Sequence, residues 1–392
     1  MNCILFDQFQ RENLLPFTFT RPVSEIRIGI LTITEKWNKF LNTTCSFHTE
    51  PYLQKKYKLK TEYNNLYING AVIPDQQLID EILNLKDGQA LFADAELIAC
   101  NTSSTLNNIS IDIVSFEKIK TLSDPLIINY PWDIFKNNGR EIESDYKIIT
   151  QGRISAQLAN TNKIIGGNIF VEEGVQADFA TINGRNAFVY LGKNTELMGG
   201  SLIRGSFALC ENSILKLGAK IYGPTTIGPN SKVGGEVNNS IILGNSNKAH
   251  DGFIGNSVIG DWCNMGADTN CSNLKNNYTN VKVWNYKAEN YIDTKLQFCG
   301  LIMGDHSKCG INTMFNTGTV VGVNVNLFGT GFPDKFIPSF TWGSPQGYSE
   351  YIPEKAFETI EAIMKRKDIE FNEIERNILI EVFEKTKKYR KQ

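Results

Sequence analysis

Aliphatic side chains recur at every sixth residue over a long stretch in the second half of this chain. The positions are Leu191, Leu197, Ile203, Leu209, Leu215, Ile221, Ile227 and Val233. A strict period of six fits neither an α-helix, which repeats every 3.6 residues, nor a single strand, which repeats every two. Short strands wound around a triangular prism give this period, because each face then contributes one inward-facing anchor. The repeat therefore predicts a parallel β-helix built from hexapeptides.

The six-residue register lapses after Val233 and resumes further along the chain. We place inward positions at Phe253, Ile259, Met265 and Cys271, and again at Met303, Cys309, Phe315, Val321 and Leu327. A buried free cysteine behaves as a small apolar side chain, so we expect both cysteines to fill the core. Residues 273–294 interrupt the pattern with a polar, aromatic segment. We predict a loop there that carries binding or catalytic residues.

The flanking regions have different patterns. Strand-like segments before residue 150 read NCILF, NLYING, GQALFADAELIAC and PLIINYPWDIF, and helical ones read SEIRIGILTITEKWNKFL and DQQLIDEILNL. Such alternation is typical of an α/β layer domain. From Pro353 onwards the apolar spacing is helical, with proline near the start and basic residues at the end. The sequence predicts an α/β domain at 1–150, a β-helix at 151–340 and a helical segment at 341–392.

Composition excludes several classes of function. Lys and Arg together number 40 against 42 Asp and Glu, so the chain lacks the positive field of a protein that binds nucleic acid without sequence preference. No apolar run reaches the roughly 18 residues of a membrane span, and the N-terminus has no signal-peptide pattern. The eight cysteines are scattered, without a CxxC pair, and are expected to be reduced thiols. A cytoplasmic protein with a small-molecule or protein partner is predicted.

Residues 248–273 carry a motif, KAHDGFIGNSVIGDWCNMGADTNCSN. It resembles the acetyltransferase half of the bifunctional UDP-N-acetylglucosamine pyrophosphorylase/glucosamine-1-phosphate N-acetyltransferases, which carry Lys-Ala-Gly-His, then Gly-Asp, then Asn-Ile-Gly-Ala-Gly, then Cys-Asn. The resemblance implies a left-handed β-helix, a homotrimer with active sites between neighbouring subunits, and acetyl-CoA as the acetyl donor. The handedness comes from the resemblance alone, since parallel β connections are usually right-handed.

The resemblance also implies roles for four residues of the motif. His250 matches the general base that takes the proton from the sugar amine, which suits imidazole because it titrates near neutral pH. Asn273 matches an asparagine that orients the amine or the acetyl group. Asn264 matches a substrate-contacting asparagine, and Phe253 stands where the family has a substrate-contacting tyrosine. A hydrogen-bonded structural histidine is the alternative for His250.

The implied site also includes lysine side chains and backbone N–H groups from outside these four residues. Lys248 and Lys275 are candidates for binding the sugar phosphate, and Lys275 is favoured. Gly310 and Ile311 fall near the acetyl-CoA stretch of the family, where backbone N–H groups can hold the thioester oxygen. Ile311 replaces the family's serine. Lys335 is a candidate for a cofactor phosphate, although a solvated surface lysine is the alternative.

The N-terminal region should correspond to the family's Mg²⁺-dependent nucleotidyltransferase, but it departs from that pattern. No glycine precedes Gly29, so the usual glycine-rich cradle for UTP phosphates is missing, and Arg11 and Arg21 are the candidate phosphate ligands. Ala71 stands where the family has a metal-binding aspartate. Asp75 is the only candidate metal ligand, against the alternative of an ordinary loop aspartate.

These residues predict an acetyl-CoA-dependent N-acetyltransferase that acts on an amino-sugar 1-phosphate, with glucosamine-1-phosphate as the expected substrate. The N-terminal region would couple it to uridylyl transfer and so to UDP-N-acetylglucosamine. The alternative is a non-catalytic trimer that binds or senses a sugar nucleotide and uses the β-helix as a scaffold. Neither hypothesis involves nucleic acid or a membrane.

Overall fold

The computed structural model describes residues 2–390, with the side chains of residues 110 and 111 excepted. The chain forms two compact units. Unit 1 consists of Met1–Leu14, Thr20–Ile26 and Leu31–Tyr130, and unit 2 of Leu15–Phe19, Arg27–Ile30 and Pro131–Gln392. Three residues lie outside the described part of the chain: Met1, from the predicted first domain, and residues 391–392, from the predicted helical segment. The domain boundaries predicted at residues 150 and 340 remain predictions.

Residues 2–130 contain eight short strands and four α-helices. The strands are β1 (Asn2–Phe6), β2 (Arg27–Ile28), β3 (Leu31–Thr32), β4 (Ser46–His48), β5 (Asn65–Asn69), β6 (Gln89–Ala93), β7 (Glu96–Thr102) and β8 (Glu117–Lys120). The helices are α1 (Gln10–Asn13), α2 (Ile33–Leu41), α3 (Gln76–Leu83) and α4 (Ile109–Asp112). Unit 1 is built on one six-stranded sheet in the order β4-β1-β5-β7-β6-β8. The alternation of strands and helices thus gives the predicted α/β unit.

Two segments of the N-terminal half differ from the prediction. The segment PLIINYPWDIF, predicted as a strand, contains only one isolated bridge, from Ile127 to Val72, before Pro131 begins helix α5 (Pro131–Thr150). Proline suits the first turn of a helix because the N–H that it lacks would have no helical partner there. The helix predicted in SEIRIGILTITEKWNKFL begins only at Ile33. Thr32 and Glu35 form a capping box at its start.

Unit 2 is a parallel β-helix whose strands lie on three faces. Face 1 consists of β9 (Lys163–Ile165), β12 (Thr181–Asn183), β15 (Leu202–Arg204), β18 (Lys220–Tyr222), β21 (Glu236–Asn238) and β24 (Phe253–Gly255). Face 2 consists of β10 (Ile169–Val171), β13 (Val189–Leu191), β16 (Phe207–Leu209), β19 (Thr225–Ile227), β22 (Ile241–Gly244), β25 (Val258–Asp261), β30 (Ile302–Met303), β33 (Val320–Val321) and β35 (Phe336–Ile337).

Face 3 is the longest of the three. It consists of β11 (Gln176–Ala177), β14 (Glu196–Leu197), β17 (Ile214–Leu215), β20 (Lys232–Val233), β23 (Asn247–Lys248), β26 (Asn264–Met265), β31 (Lys308–Cys309), β34 (Asn326–Leu327), β36 (Thr341–Ser344) and the antiparallel β37 (Gly347–Glu350). A separate two-stranded sheet is formed by β27 (Asn270–Cys271) and β32 (Met314–Phe315). The predicted loop contains an antiparallel hairpin, β28 (Lys282–Asn285) and β29 (Asn290–Asp293).

The hexapeptide repeat forms the core of the β-helix. All eight positions from Leu191 to Val233 are buried, with at most 2% of each residue exposed. Cys271 and Cys309 also point inward, as predicted, and all eight cysteines are free and buried. Each buried aliphatic side chain stabilises the fold by about 1.5–3 kcal/mol relative to an exposed one. The core therefore runs the whole length of the solenoid.

The inward register between Val233 and Ile259 differs from the prediction. Phe253, predicted to point inward, is half-buried on the outer surface, and Ile254 takes the inward position opposite Val237. The repeat does not lapse at residues 234–252. Instead, the spacing between inward positions shortens. Val237 follows Val233 after four residues, and Ile242 follows Val237 after five. Lys248 then occupies the inward position opposite Val233.

Helices complete unit 2. Helix α5 contacts strands β16, β19, β22 and β25 of face 2. After the last coil, α6 (Pro353–Lys365) begins at proline as predicted, and α7 (Glu373–Thr386) follows. The fold class is as predicted: an α/β N-terminal region, a left-handed parallel β-helix and terminal helices. No helix between residues 2 and 390 combines the length and hydrophobicity that a membrane span requires.

Candidate functional site

His250 lies on an exposed corner of the β-helix, where the chain passes from β23 on face 3 to β24 on face 1. Equivalent corners of the following coils stack beneath it. The backbone N–H of Asp268 donates to the carbonyl of Asp251 at 3.0 Å, and that of Asn312 donates to the carbonyl of Ala267 at 2.8 Å. Because coils stack about 4.8 Å apart, Ala267 lies one coil and Ile311 two coils from the histidine.

The corner is narrow because its coils touch backbone to backbone. A Cβ added to Gly266 would lie 2.4 Å from the carbonyl carbon of Gly310, so only glycine fits there. The N–H of Gly310 donates to the carbonyl of Leu327 at 2.8 Å, which leaves it unable to hold a thioester oxygen. Within residues 2–390, the N–H groups of Ala267 and Ile311 have no protein acceptor. These two groups fit the predicted backbone donors better than Gly310 does.

Phe253 and Asn273 meet on the face 1 side of this corner. Both side chains reach over Gly255, where an added Cβ would lie 2.6 Å from Cζ of Phe253 and 2.5 Å from Nδ2 of Asn273. The Asn273 amide donates to Oδ1 of Asn256 at 2.8 Å, which fixes its orientation. The structure therefore brings two of the predicted substrate residues together. Gly255 and Asn256 were not predicted as site residues, although a glycine-asparagine pair within the motif is a typical corner signal.

Asn264 lies on a different face from these residues. It is exposed on face 3, where its backbone pairs with Asn247 on one side and Lys308 on the other. The corner separates it from Phe253 and Asn273. Within one chain, the predicted substrate residues are thus divided between two faces.

Lys248 is buried inside the β-helix. It is only 2% exposed, and its ammonium group donates to the carbonyls of Gly234 at 3.0 Å and His250 at 2.7 Å. Burial lowers the pKa of Lys248 to about 8, and nearby Asp251 and Asp268 oppose that shift. This position does not fit the predicted contact with a sugar phosphate on the outer surface. The side chain instead supports the backbone of the corner that carries His250.

Lys275 and Lys335 both contact the inserted loop. The ammonium group of Lys275 donates to the carbonyl of Asn280 within the loop, and that of Lys335 donates to the carbonyl of Lys282 at 3.2 Å. Burial lowers the pKa of Lys335, and the charge of Lys275 adds to the effect. Lys335 lines a cavity of about 560 Å³ together with aromatic side chains that include Tyr291.

In unit 1, Arg11 lies among acidic and phenolic groups beyond the end of β1. Its guanidinium group donates to the hydroxyl of Tyr52 at 2.7 Å and lies 3.7 Å from a carboxylate oxygen of Asp7 and 3.8 Å from one of Glu50. Burial raises the pKa of Asp7, and Arg11 opposes that shift. Arg11, Asp7 and Glu50 line a cavity of about 380 Å³, and Glu12 lines it as well. Three carboxyl groups around one arginine do not favour a triphosphate.

Arg21 is buried in unit 1, and Asp75 caps a helix. Arg21 is 8% exposed and its charge opposes the rise in the pKa of Glu25 that burial causes. Asp75 caps helix α3, because its carboxylate accepts the N–H of Leu78 at 2.9 Å. No group of three or more His, Cys, Asp or Glu side chains in the described part of the chain could hold a metal ion. The use of the Asp75 carboxylate as a helix cap does not favour its predicted role as a Mg²⁺ ligand.

Comparison with known proteins agrees with both regions of the fold. Residues 3–154 match the family model described as sugar nucleotidyl transferase. The bifunctional protein GlmU of Methanocaldococcus jannaschii is 29% identical over 218 residues, which cover 55% of this chain and 46% of that protein. The GlmU of Methanococcus aeolicus is 31% identical over 197 residues, which cover 50% of this chain and 41% of that protein.

The alignments cover less than half the length of these curated relatives. Among solved structures, the UDP-N-acetylglucosamine acyltransferase LpxA from Bacteroides fragilis aligns over 59% of this chain and 91% of that chain, at 17% identity and a TM-score of 0.29. Similarity at that level supports no conclusion about activity. The N-terminal region is therefore similar to sugar nucleotidyl transferases, and about half of the chain is similar to parts of bifunctional GlmU proteins.

Proposed function

We propose that unit 2 is an acetyl-CoA-dependent N-acetyltransferase for an amino-sugar 1-phosphate, with glucosamine-1-phosphate as the first substrate to test. The observation that carries this proposal is the exposed imidazole of His250 on a corner that also presents the N–H groups of Ala267 and Ile311. A base beside backbone donors is what acyl transfer to an amine requires.

In the proposed reaction, acetyl-CoA supplies the acetyl group when it is bound at this corner. His250 accepts a proton from the sugar amine as the nitrogen forms its bond to the acetyl carbon and the carbon–sulfur bond breaks. The thiolate of coenzyme A leaves with the bonding electron pair and is protonated. Negative charge develops on the acetyl oxygen during this step, and the N–H of Ala267, one coil from His250, is placed to stabilise it.

Phe253 and Asn273 would position the sugar on the face 1 side of the corner. The Asn273 amide still has acceptor and donor capacity besides its bond to Asn256, so it can orient the amine. Phe253 offers an apolar ring instead of the family's hydroxyl. Gly255 leaves the space in which both side chains meet.

We also propose a homotrimer with each active site between two subunits. Asn264 and Asn273 lie on different faces of one chain, so a substrate that touches both residues needs one from each of two copies. Face 1 carries exposed apolar side chains such as Leu202, which is 50% exposed. The free, buried thiols fit a reducing compartment such as the cytoplasm.

For unit 1, a non-catalytic role in binding a sugar nucleotide is the second candidate. Asp75 is used as a helix cap, and Arg11 lies among three carboxyl groups, which disfavours uridylyl transfer from a Mg²⁺–UTP complex at these residues. Pyrophosphate release in the presence of UTP, Mg²⁺ and N-acetylglucosamine-1-phosphate distinguishes the two roles. Release would establish the transferase, and its absence alongside measurable sugar-nucleotide binding would support the binding role.

The decisive experiment is thiol release from acetyl-CoA with glucosamine-1-phosphate, compared between the wild type, His250→Gln and His306→Gln. The second variant changes another corner histidine that is not part of the proposed site. Loss of a general base should lower the rate by about 10²- to 10⁴-fold in His250→Gln only. No release with any amino-sugar phosphate from a folded protein would contradict the proposal and leave the β-helix as a scaffold.

A further inference from the structure

A basic cavity lies in unit 2 between the outer surface of face 3 and the end of helix α6. Its volume is about 510 Å³. Four cationic side chains line it. Lys232 comes from β20 and Lys308 from β31 on face 3, and Arg366 and Lys367 come from the residues that follow α6. Three asparagines, Asn245, Asn247 and Asn264, supply further donors. We refer to these seven residues as the basic cavity.

The charge in the basic cavity is not balanced by its walls. Among the described residues that line it, none is Asp or Glu. Burial lowers the pKa of Lys367, and the like charge of Lys232 lowers it further, with Asp261 outside the lining as the opposing group. Burial also lowers the pKa of Lys308 to about 8. Like charges held together in a partly buried space are costly unless an anion joins them.

Two of the lysines are held in place with donors left over. The ammonium group of Lys367 donates to the carbonyls of Asn230 at 2.8 Å and Asn245 at 3.2 Å, and it lies 5.1 Å from the ring centre of Trp262. Lys308 donates to the carbonyl of His306 at 2.7 Å. Since an ammonium group has three N–H donors, each lysine keeps at least one for a ligand. Such anchoring reduces the entropy that is lost when an anion binds.

The strand register places the polar side chains of face 3 in one column. Lys232 pairs with Asn247, Asn247 with Asn264, and Asn264 with Lys308 along successive coils. Because these coils stack about 4.8 Å apart, the column presents a donor at each step along roughly 14 Å. A single phosphate would engage only part of this column, whereas a diphosphate ester could extend along it.

We propose that the basic cavity binds a phosphorylated small molecule with at least two phosphate groups, such as a nucleoside diphosphate moiety. Its volume falls within the range of small-molecule sites, and its four cations exceed what one phosphate needs. The same chemistry occurs in a diphosphate-containing cofactor and in a sugar nucleotide. On this proposal the amide of Asn264 contacts the phosphorylated ligand. Binding alone tests the proposal, which does not depend on acetyl transfer.

The test uses isothermal titration calorimetry on the full chain with inorganic diphosphate, ADP and UDP, and with adenosine and uridine as phosphate-free probes. The double variant Lys232→Gln/Arg366→Gln removes two exposed charges from the basic cavity. The matched control, Lys355→Gln/Lys365→Gln, removes two exposed charges from α6 outside the lining. Diphosphate and both nucleotides should bind the wild type, with affinity that falls as salt is added. The cavity variant should bind about tenfold or more weakly, and the control should bind like the wild type.

The probes also distinguish the sources of the ligand. Tighter binding of ADP than of UDP at the cavity would point to an adenine-containing cofactor, and the reverse would point to a uridine sugar nucleotide. Three results would overturn the proposal: no saturable binding of any phosphorylated probe, binding that the cavity variant leaves intact, or equal weakening in the control. The second result would assign the binding to another part of the chain.

Discussion

Lys248 places a charged group where the β-helix otherwise holds hydrophobic side chains. Its ammonium group bonds to the carbonyls of Gly234 and His250, so it joins two consecutive coils at the corner that carries the proposed base. A buried lysine normally destabilises the folded state at neutral pH because its charge has left water. Its presence at this corner supports a role in fixing the backbone on which His250 stands.

Replacement of Lys248 by Met should change how stability depends on pH. The pKa of Lys248 is about 8 in the fold and 10.5 for an unperturbed lysine, so between these values the unfolded chain binds a proton that the folded chain does not. The stability of the wild type relative to Lys248→Met should therefore rise by roughly 2 kcal/mol from pH 7 to pH 10. Urea unfolding at both pH values measures this difference. A difference that stays constant between the two pH values would contradict a buried charge.

Gly255 should be essential for the geometry of the proposed site. An alanine Cβ there would displace Asn273 and Phe253, which lie 2.5 and 2.6 Å from its position. Because both are the ends of flexible side chains, we expect the melting temperature of Gly255→Ala to change little. The rate of acetyl transfer should fall by about ten- to a hundredfold through misplacement of the substrate. Gly167→Ala, with nothing within 4 Å of the added carbon, is the control and should keep full activity.

The motif around His250 predicted that this histidine, Asn273 and Phe253 serve one substrate, and the structure brings Asn273 and Phe253 together over Gly255. The motif was not sufficient to place Lys248, because the inward register depends on how many residues each corner uses. The corners after Val233 use fewer residues than the hexapeptide rule implies, and this moves Lys248 inward and Phe253 outward. Corner length is set by backbone pairing between coils, which a single sequence does not reveal.

At the scale of elements, helix α5 is joined to the β-helix through one buried asparagine. Oδ1 of Asn138 accepts from the N–H of Gly29 at 2.8 Å and from the hydroxyl of Thr226 at 3.1 Å, and its Nδ2 donates to the carbonyl of Pro224 at 3.1 Å. All of these residues belong to unit 2. This side chain of α5 thus satisfies polar groups of two other segments.

Asn138→Ala should destabilise unit 2 by roughly 3 kcal/mol, because it leaves buried donors and an acceptor without partners. Asn137→Ala removes only a bond from Nδ2 to the carbonyl of Asp133 within the helix and should cost less than about 1 kcal/mol. Chemical denaturation followed by fluorescence measures both variants. Equal effects of the two substitutions would show that Asn138 does not join the segments.

Periodicity predicted some elements well and others badly. The hexapeptide strands follow from a repeat that only one kind of core satisfies, and Pro353 marked the start of α6 correctly. PLIINYPWDIF was predicted as a strand because its apolar residues are dense, but its second part begins helix α5, in which Trp132, Ile134 and Phe135 are buried. Short apolar runs do not distinguish a buried strand from a buried helix.

At the scale of the whole molecule, the two units differ in how far their residues agree with the family. Unit 2 keeps the histidine, both asparagines and a narrow glycine corner. Unit 1 keeps the α/β sheet but has acidic groups around Arg11 and a capping role for Asp75. Residues 3–154 are similar in sequence to sugar nucleotidyl transferases, while the chemistry of unit 1 has to be tested separately from that of unit 2.

Assembly is the property on which the proposed active site depends most. Leu202 is 50% exposed on face 1, where Arg204 and Tyr222 line a cavity of about 690 Å³ with it. If face 1 forms the contact between subunits, Leu202→Glu should convert a trimer into monomers, because an unpaired carboxylate would be buried in an apolar contact. Size-exclusion chromatography with light scattering measures the mass, and thiol release measures the activity.

The control for assembly is Leu217→Glu, at a corner residue that is 74% exposed. It should remain trimeric and active, whereas Leu202→Glu should lose both properties while its circular dichroism spectrum stays unchanged. The loss of activity would follow from the proposed site, in which Asn264 of one subunit and Asn273 of its neighbour contact one substrate. A wild type that is monomeric and fully active would contradict the shared site, and would confine substrate binding to the residues around His250, Phe253 and Asn273 in a single chain.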